Sequence, residues 1–208
     1  GEGTHALSYR VVSTDGHRLS KVERTIAGGP KLSAGVIIPK KGLLEIRKLT
    51  GNAAAVSVAV EAGHMFVVQD AIAIAVKLID AQFPPYGQVI PTGHTNVLTA
   101  DRSRLVETMQ RAQLMSSETR GVKVTASSAG VTITSNNPDL GDVHEDMDAE
   151  YSGGPIAIGF NPKYVVELLQ QMTSDQVTVE LGGDLDPVLI KPLTGDDYLG
   201  VVMPMRVT

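Results

Sequence analysis

Residues 11–20 read VVSTDGHRLS and pass from an apolar run through a turn into a second segment. Asp15-Gly16 is a strong turn pair, because Gly accepts a positive φ without a Cβ clash and Asp hydrogen-bonds to the backbone ahead of it. The stretch therefore predicts a strand that ends near Thr14 and a chain that then reverses. Spacing alone favours a solvent-exposed hairpin tip, since no neighbouring motif supplies a nucleophile or metal ligand that would make Asp15 and His17 a catalytic pair.

The composition indicates a globular protein with one large or two modest cores. The chain has 208 residues, of which 42% are apolar and 20% are charged, with a formal net charge of -5. The absence of cysteine excludes disulfides, thiol catalysis and thiolate metal sites, and it fits a cytoplasmic location. No apolar run approaches the ~18 residues of a membrane-spanning helix, so we expect no membrane partner.

Charge is distributed unevenly along the chain. Residues 1–94 carry ten Lys or Arg and seven Asp or Glu, whereas residues 95–208 carry eight and sixteen. Halves of opposite sign predict separate surfaces with separate partners. The acidic total argues against indiscriminate nucleic-acid binding but allows a local basic patch.

Two segments of the chain repeat the same pattern, which predicts a duplicated domain. A helix at Lys40–Leu49 corresponds to one at Lys163–Met172, and a strand at Val56–Val60 corresponds to one at Val177–Leu181. A further amphipathic helix, Asp101–Met115, has no counterpart in the first unit. We therefore expect a fragment whose first unit lacks its beginning.

Local patterns give the domain boundary and several details. Thr92–Thr95 reads as a linker, so we predict domains at residues 1–94 and 95–208. Asn136–Asp148 is acidic and is expected to form a turn-rich excursion, and Ala71–Ala75 fits a helix or a strand equally well. The first helix has one apolar face that we expect to be buried, consisting of Leu43, Leu44, Ile46 and Leu49.

Seven motifs resemble, in the same order, the bacterial sliding clamp family, the beta subunits of DNA polymerase III. They are VSTDGHRLS (12–20), VIIPKKGLLEIRKL (36–49), FPPYGQVIP (83–91), SSETRGVKV (116–124), SNNPDLGDV (135–143), YSGGPIAIGFNPKYVVELL (151–169) and YLGVVMPMRV (198–207). The resemblance covers the whole chain and corresponds to the latter part of the family's middle domain and its complete last domain. It implies an α+β fold of repeated DNA-clamp domains, in which helices line a pore and antiparallel sheets lie outside.

The same resemblance implies a function. The family forms a ring of two subunits that encircles double-stranded DNA without sequence preference and acts as a processivity factor. Its implied partners are the DNA polymerase III alpha subunit, the clamp loader, other proteins with a clamp-binding motif and, at full length, a second copy of the chain. A non-catalytic subunit of this kind requires no cofactor and no metal.

Two basic groups are candidates for contact with DNA. Lys40 and Lys41, here called the lysine pair, match basic residues of the family at the start of the first helix. A sliding ring needs mobile cations rather than contacts that read bases. From residues alone, ordinary solvated helix faces are the simpler interpretation. The choice between pore lining and solvent stays open for Arg102, Arg104 and Arg111.

The resemblance also implies a subunit interface. Leu114 and Met115, here called the Leu-Met pair, match an apolar pair of the family at the ring contact. An acidic region of the last domain faces basic residues of the partner's first domain in the family, which fits a charge-complementary, head-to-tail contact. The acidic residues concerned are Asp139, Asp142, Glu145 and Asp146.

The third implied site is an apolar pocket for short Leu- or Phe-containing partner peptides. Its Met content suits a surface that binds many ligands, because thioether side chains repack easily. Gln88 stands where many members carry Arg, and Ser116–Arg120 is one residue shorter than a common form and lacks its aromatic residue. The matching pocket residues are Thr14, Gly16, His17, Arg18, Leu19, Pro84, Val89, Tyr164, Leu185, Val201, Met203, Pro204, Met205 and Arg206.

Two other classes of protein are alternatives to the clamp. An enzyme is disfavoured, because the five histidines show no HExxH-type spacing and no Gly-rich phosphate loop is present. A duplicated-domain scaffold that binds peptides without encircling DNA would share the pocket, and DNA retention would distinguish it from a clamp.

Overall fold

Helices and strands alternate along the chain in a mixed α+β architecture. The computed structural model describes residues 6–27, 32, 34–51, 53–116, 121–137, 139, 141–195 and 197–206. In chain order the elements are β1 (Ala6–Thr14), β2 (Arg18–Ala27), α1 (Lys40–Thr50), β3 (Ser57–Glu61), β4 (His64–Gln69), β5 (Ile72–Lys77), β6 (Asn96–Asp101), α2 (Arg102–Met115), β7 (Val122–Ser127), β8 (Gly130–Asn137), β9 (Gly141–Met147), β10 (Glu150–Ser152), β11 (Ile156–Phe160), α3 (Pro162–Leu169), β12 (Gln176–Leu181), β13 (Val188–Pro192) and β14 (Tyr198–Val202). The predicted α+β class is confirmed.

The strands form three sheets. A three-stranded sheet has the order β3-β4-β5, a four-stranded sheet has the order β11-β7-β8-β9, and a seven-stranded sheet has the order β1-β2-β14-β13-β12-β6-β10. The predicted repeat is visible here, because α1 is followed by β3, β4 and β5 just as α3 is followed by β12, β13 and β14. In both cases the three strands pair antiparallel in succession.

The chain divides into two compact units that do not follow chain order. The first unit contains residues 1–9 and 25–86, and the second contains residues 10–24 and 87–208, within the described ranges. The predicted hairpin at Asp15-Gly16 therefore belongs to the second unit. The boundary between residues 94 and 95 stays a prediction.

The second unit has a continuous apolar core to which both its helices and both its sheets contribute. The apolar stripe predicted on α2 is confirmed, since Leu105, Met109 and Ala112 are all buried. Helix α3 lies very close to β14, because a Cβ on Gly200 would stand 2.9 Å from the methyl carbons of Leu168. The absence of a side chain at this position allows the helix to cover the sheet closely.

The predicted buried face of α1 is wrong in part. Leu43 and Leu44 are 49% and 44% exposed, whereas Ile46 and Leu49 are half-buried. Gly42 makes the closest approach to the sheet, since a Cβ there would lie 2.3 Å from Cγ1 of Val76. Residues 42, 46 and 49 share one side of a helix, and this side turns both leucines away from the sheet.

Three other segments differ from their prediction or settle an alternative that the sequence left open. The acidic segment is not an excursion, because every residue of β9 pairs with a residue of β8. Its strand character follows from alternation, since Val143, Glu145 and Met147 are the less exposed positions. Strand β6 was not predicted, and residues 71–75 belong largely to a strand rather than a helix.

No helix in the described ranges is long and apolar enough to cross a membrane.

Candidate functional site

The hairpin tip that joins β1 to β2 is fixed by its own side chains. The Asp15 carboxylate accepts hydrogen bonds from the backbone N–H groups of His17 and Arg18, each at 3.0 Å. The Thr14 hydroxyl donates to the carbonyl of Arg18 at 2.8 Å and accepts from the N–H of Gly16 at 3.2 Å. Gly16 has a φ of 88°, which a residue with a Cβ rarely adopts. The turn thereby holds His17 and Arg18 in defined positions.

Strand β2 extends the sheet of the second unit by pairing with β14. Leu19 lies opposite Val201 in this antiparallel ladder, and both side chains are buried. Beyond the ladder, the N–H of Met203 donates to the carbonyl of His17 at 2.8 Å. The hairpin and the segment after β14 therefore form one continuous backbone arrangement.

The hairpin also contacts α3, which begins where the sequence provides a start signal. Asn161 caps the helix by accepting a hydrogen bond from the N–H of Lys163 at 3.1 Å, and Pro162 occupies the first turn. Tyr164 in that turn meets two residues of the hairpin. The guanidinium of Arg18 lies 4.5 Å from the Tyr164 ring centroid, and the His17 ring centroid lies 6.1 Å from it. An arginine over an aromatic face is an attractive cation–π arrangement.

Arg18 also joins two carboxylates. Its Nε donates to Asp15 at 3.1 Å, and its Nη1 donates to Glu167 on α3. Burial alone would lower the pKa of Arg18, but the hydrogen bonds and charges of Glu167 and Asp15 raise that pKa above its ordinary value. Burial likewise works to raise the pKa of Asp15, yet the backbone N–H donors of His17 and Arg18 and then the guanidinium hold it below its ordinary value.

The segment after β14 contacts the four-stranded sheet. The N–H of Met205 donates to the carbonyl of Gly159 at 2.9 Å. A Cβ on Gly121 would lie 2.5 Å from the Met205 sulfur and 2.2 Å from the carbonyl oxygen of Phe160. Only glycine therefore allows this close approach. We call the group His17, Arg18, Tyr164, Met203 and Met205 the hairpin surface.

The remaining pocket residues lie outside these direct contacts. Pro204 is half-buried between the two methionines, and Arg206, Val89 and Leu185 of the second unit are exposed. Pro84 belongs to the first unit and is exposed. Gln88 is exposed in a single 3₁₀ turn, and residues 117–120 of the shortened segment lie outside the described residues.

Sequence reasoning missed two members of this site, Asp15 as an anchor of Arg18 and Glu167. Within the repeat, Glu167 occupies the position that corresponds to Glu45 of α1. The available signal was its spacing from Tyr164, because residues three apart on a helix share a face. The partner on that face, Arg18, is 149 residues away in sequence, so no local pattern identified it.

The lysine pair occupies the first turn of α1, and both residues are exposed. No described carboxylate forms an ion pair with either side chain. Positive charge at a helix N-terminus is disfavoured by the helix dipole. The two ammonium groups therefore do not stabilise the helix, and they remain available to an external anion.

The three arginines of α2 differ in their contacts. Arg111 forms a bidentate pair with Glu145 on β9, at 2.8 and 2.7 Å, and this contact holds the pKa of Glu145 below its ordinary value. Arg102 donates through Nε to the carbonyl of Ser174 at 2.9 Å. The side chain of Arg104 is exposed. Arg111 and Arg102 are thus used in structural contacts within the unit.

The Leu-Met pair ends α2, whose Arg111 contacts the edge strand β9. Leu114 is 77% exposed, and Met115 is half-buried. Strand β9 is the last strand of its sheet and carries three of the four acids. Among the four, Asp139 is exposed, Asp142 accepts from Asn136 at 2.5 Å, Asp146 accepts from Thr132 at 2.8 Å, and Glu145 is paired with Arg111.

Within the described part of the chain, no group of three or more His, Asp or Glu side chains is placed to hold a metal ion. His17 belongs to the hairpin surface, and the Nε2 atom of His94 lies 2.9 Å from the carbonyl oxygen of Pro187. His5 lies outside the described residues.

Comparison with known proteins gives consistent matches along both units. The family model for the C-terminal domain of the DNA polymerase III beta subunit matches residues 87–206, and that for its central domain matches residues 4–85. The beta sliding clamp of Pseudomonas putida is 34% identical over 201 residues, which make up 96% of this chain and 55% of that protein. The clamp of Escherichia coli K12 is 33% identical, with 98% and 56% covered.

Solved structures agree with these matches. The Pseudomonas aeruginosa DNA polymerase sliding clamp has a TM-score of 0.90 at 32% identity, with 96% of this chain and 56% of that chain covered. A second structure of the clamp from that organism, bound to griselimycin, has a TM-score of 0.89. The chain spans about half the length of the relatives that it matches.

Proposed function

The chain belongs to the family of DNA polymerase III beta subunits, the bacterial sliding clamps, and on that premise we propose that it acts as part of a clamp that encircles duplex DNA. In this role it is a non-catalytic processivity subunit of the polymerase III holoenzyme in the cytoplasm. It tethers the polymerase alpha subunit, the clamp loader and other proteins that carry a clamp-binding motif. At full length it pairs with a second copy through the Leu-Met pair and the acidic strand β9.

The observation that carries the tethering role is the hairpin surface. It combines two methionines, an aromatic ring and a hairpin whose backbone is fixed by four local hydrogen bonds. Apolar, adaptable side chains on a rigid support suit the binding of short peptides, because the support costs little ordering entropy. A relative bound to griselimycin supports a ligand-binding surface in this family.

The proposed DNA contact is made by the lysine pair. Both side chains are exposed and have no described carboxylate as partner, so their charge is available to phosphates. Among the arginines of α2, Arg104 is the one that we propose as a further DNA contact, since Arg102 and Arg111 already have partners within the second unit. Such contacts supply affinity that depends on salt and carries no sequence preference.

Calorimetry on the 208-residue chain tests the tethering role. A short peptide with a Gln and a Leu-x-Phe end should bind with a Kd of about 1 μM, which corresponds to about -8 kcal/mol. Tyr164→Ala should weaken binding about tenfold, because it removes the ring that contacts His17 and Arg18. Deletion of Met203–Thr208 should remove most binding, whereas Lys40→Ala should not change it.

The controls separate a pocket from general charge attraction. Thermal unfolding of each variant establishes that it is folded before binding is measured. Equal losses in the deletion variant and in Lys40→Ala would mean that the attraction was merely electrostatic. In that case the hairpin surface would not be a peptide site.

A further inference from the structure

Glu167 connects two elements that are distant in sequence. It lies on α3 three residues after Tyr164, so both side chains project from the same side of the helix. Both meet Arg18, whose guanidinium stacks over the Tyr164 ring while its Nη1 donates to the Glu167 carboxylate. The helix therefore holds Arg18 at two points.

The other end of this network lies within the hairpin itself. Asp15 accepts from Nε of Arg18 at 3.1 Å, and this contact links residues three apart in the same turn. It fixes the side chain relative to the hairpin but not relative to α3. The Glu167 contact is thus the only described ion pair that joins the hairpin to the helix.

The Arg18 side chain is 25% exposed, compared with 42% for Glu167 and 46% for Asp15. A long side chain at this degree of burial has several rotamers available unless its polar end is held. The planar guanidinium favours a geometry in which it bonds a carboxylate and stacks on a ring together. Loss of the carboxylate would leave only the weaker ring contact to orient it on the helix.

We propose that Glu167 is a positioning residue for peptide binding, which acts through Arg18 to keep the guanidinium against Tyr164 and the hairpin against α3. This inference rests on the proposed tethering function. Glu167 itself need not touch the peptide. Its effect is to preset the shape of the hairpin surface, so that the peptide does not have to order Arg18 when it binds.

The first test needs no peptide. In NMR spectra of the 208-residue chain, the δ-methylene protons of Arg18 should be shifted by the ring current of Tyr164. Glu167→Gln keeps the length of the side chain but removes its charge, and it should move these signals towards their values in an unstructured peptide. Glu150→Gln is the matched control, because it removes one exposed carboxylate on β10 of the same unit. Unchanged Arg18 signals in Glu167→Gln would overturn the inference.

The second test is a double-mutant cycle with the synthetic Gln and Leu-x-Phe peptide. Glu167→Gln should raise the Kd about fivefold, which is within the range for a partly exposed charged contact. In an Arg18→Ala background the same change should have no effect, since the group through which Glu167 acts is gone. An equal loss in both backgrounds, or no loss in either, would contradict the proposal.

Failure of the tethering function and failure of the positioning role give different results. If the wild-type chain binds no peptide, the tethering function fails and the positioning role falls with it. If the wild type binds and Glu167→Gln binds equally well, only the positioning role fails. Equal melting temperatures for Glu167→Gln and Glu150→Gln exclude a general loss of folding as the cause.

Discussion

Gly121→Ala should damage both the stability of the second unit and the proposed peptide site. The added Cβ would lie 2.2 Å from the carbonyl oxygen of Phe160 and 2.5 Å from the sulfur of Met205. The thioether can rotate away at small cost, but the carbonyl belongs to the backbone of β11. Carbon and carbonyl oxygen approach to about 3.3 Å in favourable contacts, so that strand must move by roughly 1 Å.

The expected cost follows from this displacement. Overpacking of a close-packed interior costs about 1–3 kcal/mol, and movement of a backbone strand places Gly121→Ala at about 2–3 kcal/mol. At about 2–4 °C per kcal/mol for a domain of this size, the melting temperature should fall by about 5–10 °C. Peptide affinity should fall as well, because the Met205 side chain is displaced from its position in the hairpin surface.

Urea unfolding and calorimetry measure the two effects. Gly154→Ala is the control, since no atom lies within 4 Å of a Cβ built there and the backbone does not require a glycine. It should change stability by less than about 0.5 kcal/mol. If Gly121→Ala unfolded at the same urea concentration as the wild type, the close approach described for this position would be refuted.

Three further predictions concern other surfaces. Replacing both residues of the lysine pair with alanine in the full-length ring should reduce the salt slope of duplex DNA binding by about 2 for each subunit, without any change in sequence preference, and an unchanged slope would remove them from the DNA surface. Replacing both residues of the Leu-Met pair with alanine should weaken dimerisation of the full-length protein in sedimentation experiments, and equal dimerisation would exclude them as anchors. Arg111→Ala should lower stability at pH 7, and this deficit should shrink as the solution is acidified. Arg111 holds the pKa of Glu145 below its ordinary value of 4.5 in the folded state, so the contribution is present above pH 4.5 and is lost as the pH falls through the lowered pKa; a deficit that did not shrink on acidification would contradict this.

The sequence predicted the elements whose signals are local. The Asp15-Gly16 turn, the amphipathic helix α2 and the first strand after each repeated helix all follow from turn chemistry and periodicity. Strand β9 was not recognised, because Asp is rare in strands and its composition concealed the alternation of Val143, Glu145 and Met147. For β9, the alternation of more and less exposed positions predicts the strand better than the amino-acid composition does.

The candidate site was predictable only in part, because its contacts join residues that are far apart in the sequence. The resemblance supplied its residues one by one, but their mutual contacts depend on where β2 lies. Pairing of Leu19 with Val201 brings the hairpin to α3, and only then does Arg18 meet Glu167. The same limitation applies to α1, where Gly42 rather than a leucine faces the sheet, because packing against Val76 decided which side turned inward.

The pairing of β2 with β14 also constrains how the protein is made. The hydroxyl oxygens of Ser20 and Tyr198 lie 2.9 Å apart, although the two residues are 178 positions apart in sequence. At about 5–20 residues per second, a ribosome needs roughly 10–40 s to deliver the second strand after the first has emerged. During that interval one edge of β2 has no native neighbour and can pair with any exposed strand, including one on another nascent chain. Charged side chains discourage such pairing, and β2 carries Arg18, Lys21, Glu23 and Arg24 along its length. Substitution of Lys21, Glu23 and Arg24 by apolar residues should therefore increase aggregation during synthesis more than it affects the finished fold.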